Sequence, residues 1–339
     1  MTSRSTPGRR TVLKALAATP LLLAGCATRY STTPPGVLNV GQISDSVAFF
    51  PLFIAEEKGY FAAEGVQLGE RPRLGTGAKV AAALKGGSID LGAGVITDAF
   101  NLAKIDDGTR IVTSLVTEYY VDIVVPPSFE EPATVEEKIA ALVGKRIGIT
   151  GPGSGTEALV NYLFTSIGRT AATDATLVNL GGAATAAIGA LSADRVDALA
   201  FFQPIAQQAE AAGAGRTFIS PVRGDVPALR GALHGVVFST RKLLDRKPAE
   251  LVGFNRAIAR ALGDIHGDPA QVRDLLGRYL QKTDAAALDA LVPILAREVP
   301  RTPQLERGSY DTARTFHLDS GLVKKAPTYE EVLVGQPEA

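Results

Sequence analysis

The chain has 339 residues, with 35 basic and 35 acidic side chains and a formal net charge of zero at neutral pH. That balance argues against nucleic acid as a partner, which calls for a basic face. The single cysteine excludes an intramolecular disulfide, so the fold must be held by core burial, and the length is enough for two ordinary domains.

In chain order, a basic stretch (Arg4, Arg9, Arg10, Lys14) precedes an apolar run from Ala15 to Ala24 and then Gly25-Cys26. A spanning helix needs roughly 20 apolar residues to cross about 30 Å of hydrocarbon. This run is shorter and is interrupted by Pro20. It reads as a cleaved secretory signal over residues 1–25. Leu23-Ala24-Gly25-Cys26 closely resembles a bacterial lipobox, which implies cleavage before Cys26 and a diacylglycerol on its thiol. The competing reading is an apolar N-terminal helix with a buried cysteine. Gly8 to Lys14 resembles a twin-arginine motif with Val12 in place of the usual Phe, so Tat and Sec export both stay open. Residues 26–36 then form the lipidated cysteine and a polar tether rich in Ser, Thr and Pro, and no later apolar run is long enough to span a membrane.

Short apolar runs next alternate with amphipathic stretches. Strands are expected over Val37–Gln42, Val66–Pro72 and Ile89–Val95, with helices over Phe50–Glu64 and Ala78–Lys85. Tyr119–Val125 breaks this rhythm and enters a Pro-rich turn at Pro126-Pro127. A second set follows: strands over Arg146–Thr150, Thr176–Leu180 and Ala198–Phe202, and helices over Thr156–Ile167 and Ala183–Leu191. After a strand at Gly235–Thr240 the chain reads as mostly helical to Leu295. Alternation of this kind indicates an α/β fold with largely parallel sheets, in two units with the C-terminal helices returning to the first.

Several motifs carry a family resemblance. Asn39-Val40-Gly41-Gln42 leads into Phe50-Pro51-Leu52-Phe53-Ile54-Ala55-Glu56-Glu57-Lys58-Gly59-Tyr60-Phe61 and then Glu64-Gly65-Val66. Ala83 to Asp90 fits the pattern A-L-x-x-G-x-I-D, and Val143 to Ile149 resembles L-K-G-K-x-I-G. Ala190 to Ala198 fits A-L-x-x-G-x-V-D-A, with Asp194 where Gly is usual. In order and spacing these resemble the nitrate/sulfonate/taurine (SsuA- and THI5-like) solute-binding proteins. The resemblance implies a two-lobed, type II periplasmic-binding-protein-like fold with two crossing strands as hinge. By analogy the crossings are Tyr119–Val125 and Gly235–Thr240, lobe one covers 37–120 plus 237–335, and lobe two covers 121–236.

Ligands of open α/β sheets sit beyond the carboxyl ends of strands, where helix N-termini offer free N–H groups. Four loops qualify. Ser44, Asp45, Ser46 and Phe49 lie on the first, where helix capping explains the polar residues equally well. Thr76 and Gly77 lie on the second and Thr97 on the third. Ser154, Gly155 and Thr156 lie in the glycine-rich fourth, Gly151 to Thr156, the strongest candidate of the set. That loop departs from a dinucleotide fingerprint because its sixth position is Thr156 and no acid ends the next strand, and it lacks the Gly-Lys-Ser/Thr of a P-loop. Tyr119, Phe202 and Gln203 complete the set at the cleft edges, each with core packing as the alternative, and at most one of Tyr119 and Tyr120 should face a ligand.

No cofactor is expected, and no metal, because His234, His266 and His317 are isolated. Catalysis is not expected either: Pro152 stands where a Gly-x-Ser-x-Gly elbow at Ser154 needs glycine, and the one cysteine is the lipidation candidate. The resemblance implies a monomeric, lipid-anchored binding component that delivers a small anionic or zwitterionic solute, such as a sulfonate or taurine, to an ABC permease and its ATPase on the extracytoplasmic face. A thiamine-precursor pyrimidine is the alternative ligand, and an exported enzyme using the same cleft is the alternative class.

Overall fold

A computed structural model describes residues 34–334. The signal segment, Cys26 and most of the tether lie outside the described residues, as does residue 335, the last assigned to lobe one. The chain builds two main sheets. One has four strands in the order Val40–Gln42, Leu91–Val95, Gly235–Thr240, Thr109–Val116. The other has five, in the order Arg216–Ile219, Val121–Val125, Ala198–Phe202, Arg146–Ile149, Thr176–Asn179. A two-stranded ribbon pairs Val37–Leu38 with Gln67–Leu68.

The chain passes from the four-stranded to the five-stranded sheet between Val116 and Val121, and returns between Ile219 and Gly235. Each strand that follows a crossing runs antiparallel to its neighbours, because it enters its sheet from the far side of the hinge. Both sheets are therefore mixed rather than largely parallel. Thr109–Val116 has no counterpart in the sequence reading. It is buried along its whole length, so it lacks the period-2 alternation that marks a half-buried strand, and its Thr113 hydroxyl donates to Asn255 Oδ1 at 2.5 Å.

Three element boundaries have a local cause. The helix expected over Phe50–Glu64 is two, Phe50–Glu57 and Tyr60–Ala63, because Gly59 adopts φ 68°, a left-handed conformation that ends a helix. Helix Gly77–Gly86 ends the same way at Gly87, φ 69°. After helix Ala184–Ser192 the corresponding residue is Asp194, at φ 51°. That conformation explains why the motif prefers glycine there, and aspartate is among the few other residues that tolerate it.

The final residue of each A-L-x-x-G-x-[IV]-D motif has a shared structural task. Asp90 Oδ2 accepts the N–H of Asn39 at 2.8 Å, and Asp197 Oδ2 accepts that of Arg146 at 2.8 Å. In each lobe the acid thus ties its own strand to the start of the parallel neighbour.

Helix Pro248–Ile265 packs its apolar stripe (Leu251, Phe254, Ile258, Leu262, Ile265) on Leu52, Ile54 and Phe61, with the Phe61 and Phe254 rings stacked at 5.2 Å. Helices Pro269–Tyr279 and Ala285–Glu298 join the same core. Helix Arg307–Asp319 does not belong to lobe one alone, since its Phe316 meets Tyr162 of lobe two at 5.1 Å. Among the described residues, no helix is long and apolar enough to cross a membrane.

Candidate functional site

Between the two sheets lies a cavity of about 360 Å³, walled by both lobes. Lobe one contributes Ile43, Ser44 and Ser46, the loop Gly75 to Ala78, and Val95, Asp98 and Asn101. Lobe two contributes Thr150 to Thr156, Gly182 and Phe202, and the crossings contribute Tyr120, Val121 and His234. A more open groove of about 570 Å³ lies on the outside of lobe one by Gly36, Gly59 and Gly65, and no helix of eight or more residues starts there.

Three helices begin at the inner cavity: Gly77–Gly86, Ile96–Ala103 and Gly155–Ser166. Thr76 caps the first by accepting the Lys79 N–H at 3.3 Å, and Ser154 caps the third by accepting that of Glu157 at 3.3 Å. Capping and cavity lining are therefore compatible roles for these two hydroxyls. Thr156 Oγ1 accepts the Thr150 N–H at 3.0 Å and lies 2.7 Å from Ser154 Oγ, so the three hydroxyls of this loop form one connected set.

Of the residues singled out from sequence, Ser44, Ser46, Thr76, Gly77, Ser154, Gly155, Thr156 and Phe202 meet at the cavity. Five do not. Asp45 sits at the rim, paired with Arg73 at 2.7 Å. Phe49 is fully buried in the lobe-one core, because the short helical turn Val47–Phe49 directs it inward. Thr97 Oγ1 donates to His317 Nε2 at 2.6 Å: His317 Nδ1 must carry the proton it gives to Ala313 O, which leaves Nε2 as acceptor. Burial holds His317 neutral, with a pKa lowered to about 4.

Tyr119 donates its hydroxyl proton to Gly155 O at 2.6 Å from behind the cavity, and its ring packs on His234 at 4.1 Å and Phe316 at 4.7 Å. The alternation of side chains brings Tyr120 to the wall instead. Gln203 is 1 % exposed and is not on the cavity wall.

The polar wall residues missed from sequence are Asp98, Asn101 and His234. Asp98 carried a readable signal, an acid three residues past the end of a strand. It caps the helix from its third position, with Oδ2 accepting the Val95 N–H at 3.0 Å. His234 carried none, because it reaches the wall only through the second crossing.

Two hydrogen bonds span the cleft mouths: Asn101 Nδ2 donates to Gly153 O at 3.0 Å, and Gln208 Nε2 to Thr283 Oγ1 at 2.7 Å. The first loop is braced from outside by Gln42 Nε2, which donates to Ser44 O at 2.5 Å, and by Tyr279, whose hydroxyl donates to Ser46 O at 3.0 Å.

Glu298 and Asp122 are buried near the first crossing, and Glu298 O accepts the Thr117 N–H at 2.8 Å. Both Glu298 carboxyl oxygens, Asp122 Oδ1 and Gln203 Oε1 lack a protein hydrogen bond among the described residues. Burial, reinforced by Asp122, pushes Glu298 well above the usual carboxylate range, and burial raises Asp122 to about 7. A carboxyl raised in the folded state leaves stability intact below its unfolded value, 4.5, and lowers it as pH rises, since the unfolded chain then releases the proton more readily. Glu298→Gln is therefore expected to gain thermal midpoint relative to the parent between that value and about pH 8. A midpoint difference that stays flat across this range would rule the effect out.

The chain belongs to the NMT1/THI5-like family, whose model matches residues 46–272. Its fold is the two-lobed, type II periplasmic-binding-protein-like fold with a two-segment hinge. A protein from Bordetella bronchiseptica RB50 is similar at 23 % identity and a TM-score of 0.71, over 84 % of this chain and 89 % of that one. The alkanesulfonate-binding protein SsuA from Xanthomonas axonopodis pv. citri, solved with MOPS, is similar at 22 % identity and a TM-score of 0.69, over 88 % and 96 % of the two chains. A DszB mutant in complex with biphenyl-2-sulfinic acid shares the fold at 16 % identity and a TM-score of 0.62, over 88 % and 96 %. No curated protein matches the chain.

Proposed function

We propose that the protein is the solute-binding component of an ABC importer, held by lipid at Cys26 on the extracytoplasmic face of the cell membrane. Its solute is a small zwitterionic or anionic organic molecule of the sulfonate or taurine kind. The observation that carries this reading is the 360 Å³ cavity on which both lobes and three helix N-termini converge. Helix N-termini favour electron-rich groups, and a ligand touching both lobes stabilises the closed state over the open one. Family membership and the likeness to SsuA support it.

A pyrimidine-like heterocycle is the second reading, favoured by the Tyr120 and Phe202 rings on the wall beside Asp98. Because DszB shares the fold, turnover belongs in the test. Thermal shift against sulfonates, nitrate, pyrimidines and flavins, with mass analysis of the recovered ligand, is expected to give a raised midpoint and an unaltered molecule. Chemical conversion of the ligand would sink the transport reading.

Ser154→Ala with Thr156→Ala is expected to weaken binding by about 1–3 kcal/mol, the weight of two hydrogen bonds. The lost Ser154 cap and the lost Thr156 bond to the Thr150 N–H should together lower stability by about 2 kcal/mol. Calorimetric titration checks the first figure and urea melting the second, and unchanged affinity removes this loop from the site.

A further inference from the structure

We propose that Asp98 sets the orientation of the solute: the cavity takes a molecule with an N–H-bearing pole, an ammonium or an amino-heterocycle, against lobe one and an electron-rich pole against helix Gly155–Ser166. This deepens the solute-binding reading above and rests on it.

Asp98 is the only charged side chain on the cavity wall among the described residues, and it is 7 % exposed. The fold makes room for it. A Cβ on Gly77 would overlap Asp98 Oδ1, and one on Gly94 would stand 2.7 Å from Oδ2. The carboxylate thus lies against the N-termini of two helices, Gly77–Gly86 and Ile96–Ala103, where a bound anion would otherwise sit. Its Oδ2 is engaged by Val95 N–H, while no protein donor among the described residues bonds Oδ1.

Nothing else on the wall answers this charge. Arg73 is committed to Asp45, and Lys104 donates to Asn101 Oδ1 at 2.8 Å. His234, facing the same cavity, is held neutral because burial pushes its pKa well below the ordinary value. A buried carboxylate without a counter-charge is costly, and a donor group on the solute removes that cost.

The opposite wall has the reverse character. The N-terminus of helix Gly155–Ser166 presents the hydroxyls of Ser154, Thr156 and Thr150. Its own acid, Glu157, is turned back onto the Gly153 N–H at 2.5 Å and is not on the wall. Lobe one therefore recognises a donor and lobe two an acceptor, and a solute lacking either pole leaves one wall unanswered.

The test titrates the purified chain with taurine against ethanesulfonate, and with 4-aminopyrimidine against pyrimidine, by calorimetry and thermal shift. In at least one pair the amine-bearing probe is expected to bind about 10-fold or more tighter, the weight of a charge-assisted hydrogen bond. Which pair responds decides between the zwitterion and the heterocycle. In Asp98→Asn, which keeps an acceptor for Val95 N–H, that preference is expected to fall to about 3-fold or less. Should the variant not fold, the ratio measured on the parent chain decides alone. Equal binding of amine-bearing and amine-free probes overturns the role of Asp98 and leaves solute binding standing. Silence towards these probes and the wider panel overturns both.

Discussion

Lys247→Ala is expected to destabilise the protein by about 3–5 kcal/mol, the range for removing one partner of a buried ion pair. Lys247 Nζ lies 3.2 Å from Asp90 Oδ2 and donates to Val37 O at 2.5 Å, and the two side chains are only 11 % and 8 % exposed. The ammonium therefore joins the start of helix Pro248–Ile265 to the strand-tying Asp90 and to the two-stranded ribbon. Removing it takes this cation away from the Asp90 carboxylate. Urea melts should show a lower midpoint at an unchanged slope. The double variant Asp90→Asn with Lys247→Met removes both charges and should recover part of the loss. A single variant as stable as the parent would show that the pair contributes nothing net.

The second large effect is expected on binding. Gly155 faces Tyr119 Oη at 3.1 Å, Thr97 Oγ1 at 3.3 Å and His234 Cε1 at 3.3 Å from its notional Cβ. Here helix Gly155–Ser166 of lobe two meets the hinge and lobe one at close range. Gly155→Leu inserts a side chain into that contact. Overpacking costs about 1–3 kcal/mol, and here the lobes can relieve it by opening. The closed, binding-competent state loses that amount, roughly a 5- to 150-fold drop in affinity. X-ray scattering should report a larger radius of gyration, and the midpoint shift given by whichever probe binds the parent should shrink. A variant with parental dimensions and affinity would show that this contact does not govern closure.

How far the sequence reveals the molecule can be judged from individual residues. The motif A-L-x-x-G-x-[IV]-D, present twice, marks the matching step in each lobe, and the structure gives it a cause. A left-handed residue ends the helix (Gly87, Asp194), and an acid ties the strand (Asp90, Asp197). These are local requirements, written within one stretch of chain, so they survive as a readable pattern. The glycine-rich loop Gly151 to Thr156 was legible for the same reason, because a strand, a turn and a helix cap follow one another without interruption.

What was not legible depends on residues distant in sequence. Thr97 and Asp98 are adjacent, yet Thr97 turns to His317, 220 positions away, and Asp98 turns to the cavity. Tyr119 and Tyr120 exchange the roles expected of them because Tyr119 is held by Gly155 O, His234 and Phe316, which leaves Tyr120 on the wall. Thr109–Val116 is covered on both faces by helices and neighbouring strands, and burial on both sides erases the alternation that would have announced it.

The sequence alone therefore determined the α/β class, the two-unit organisation, the family and most of the loops that line the cavity, since each rests on local periodicity, turn chemistry or helix capping. Only the tertiary structure decided which side chains of those loops reach the cavity, and that the charged one on its wall is Asp98 rather than Asp45. The reason is physical: a carboxylate's role is set by the partners that surround it. Arg73 reaches Asp45 at the rim, whereas two glycines and two helix N-termini enclose Asp98 at the wall.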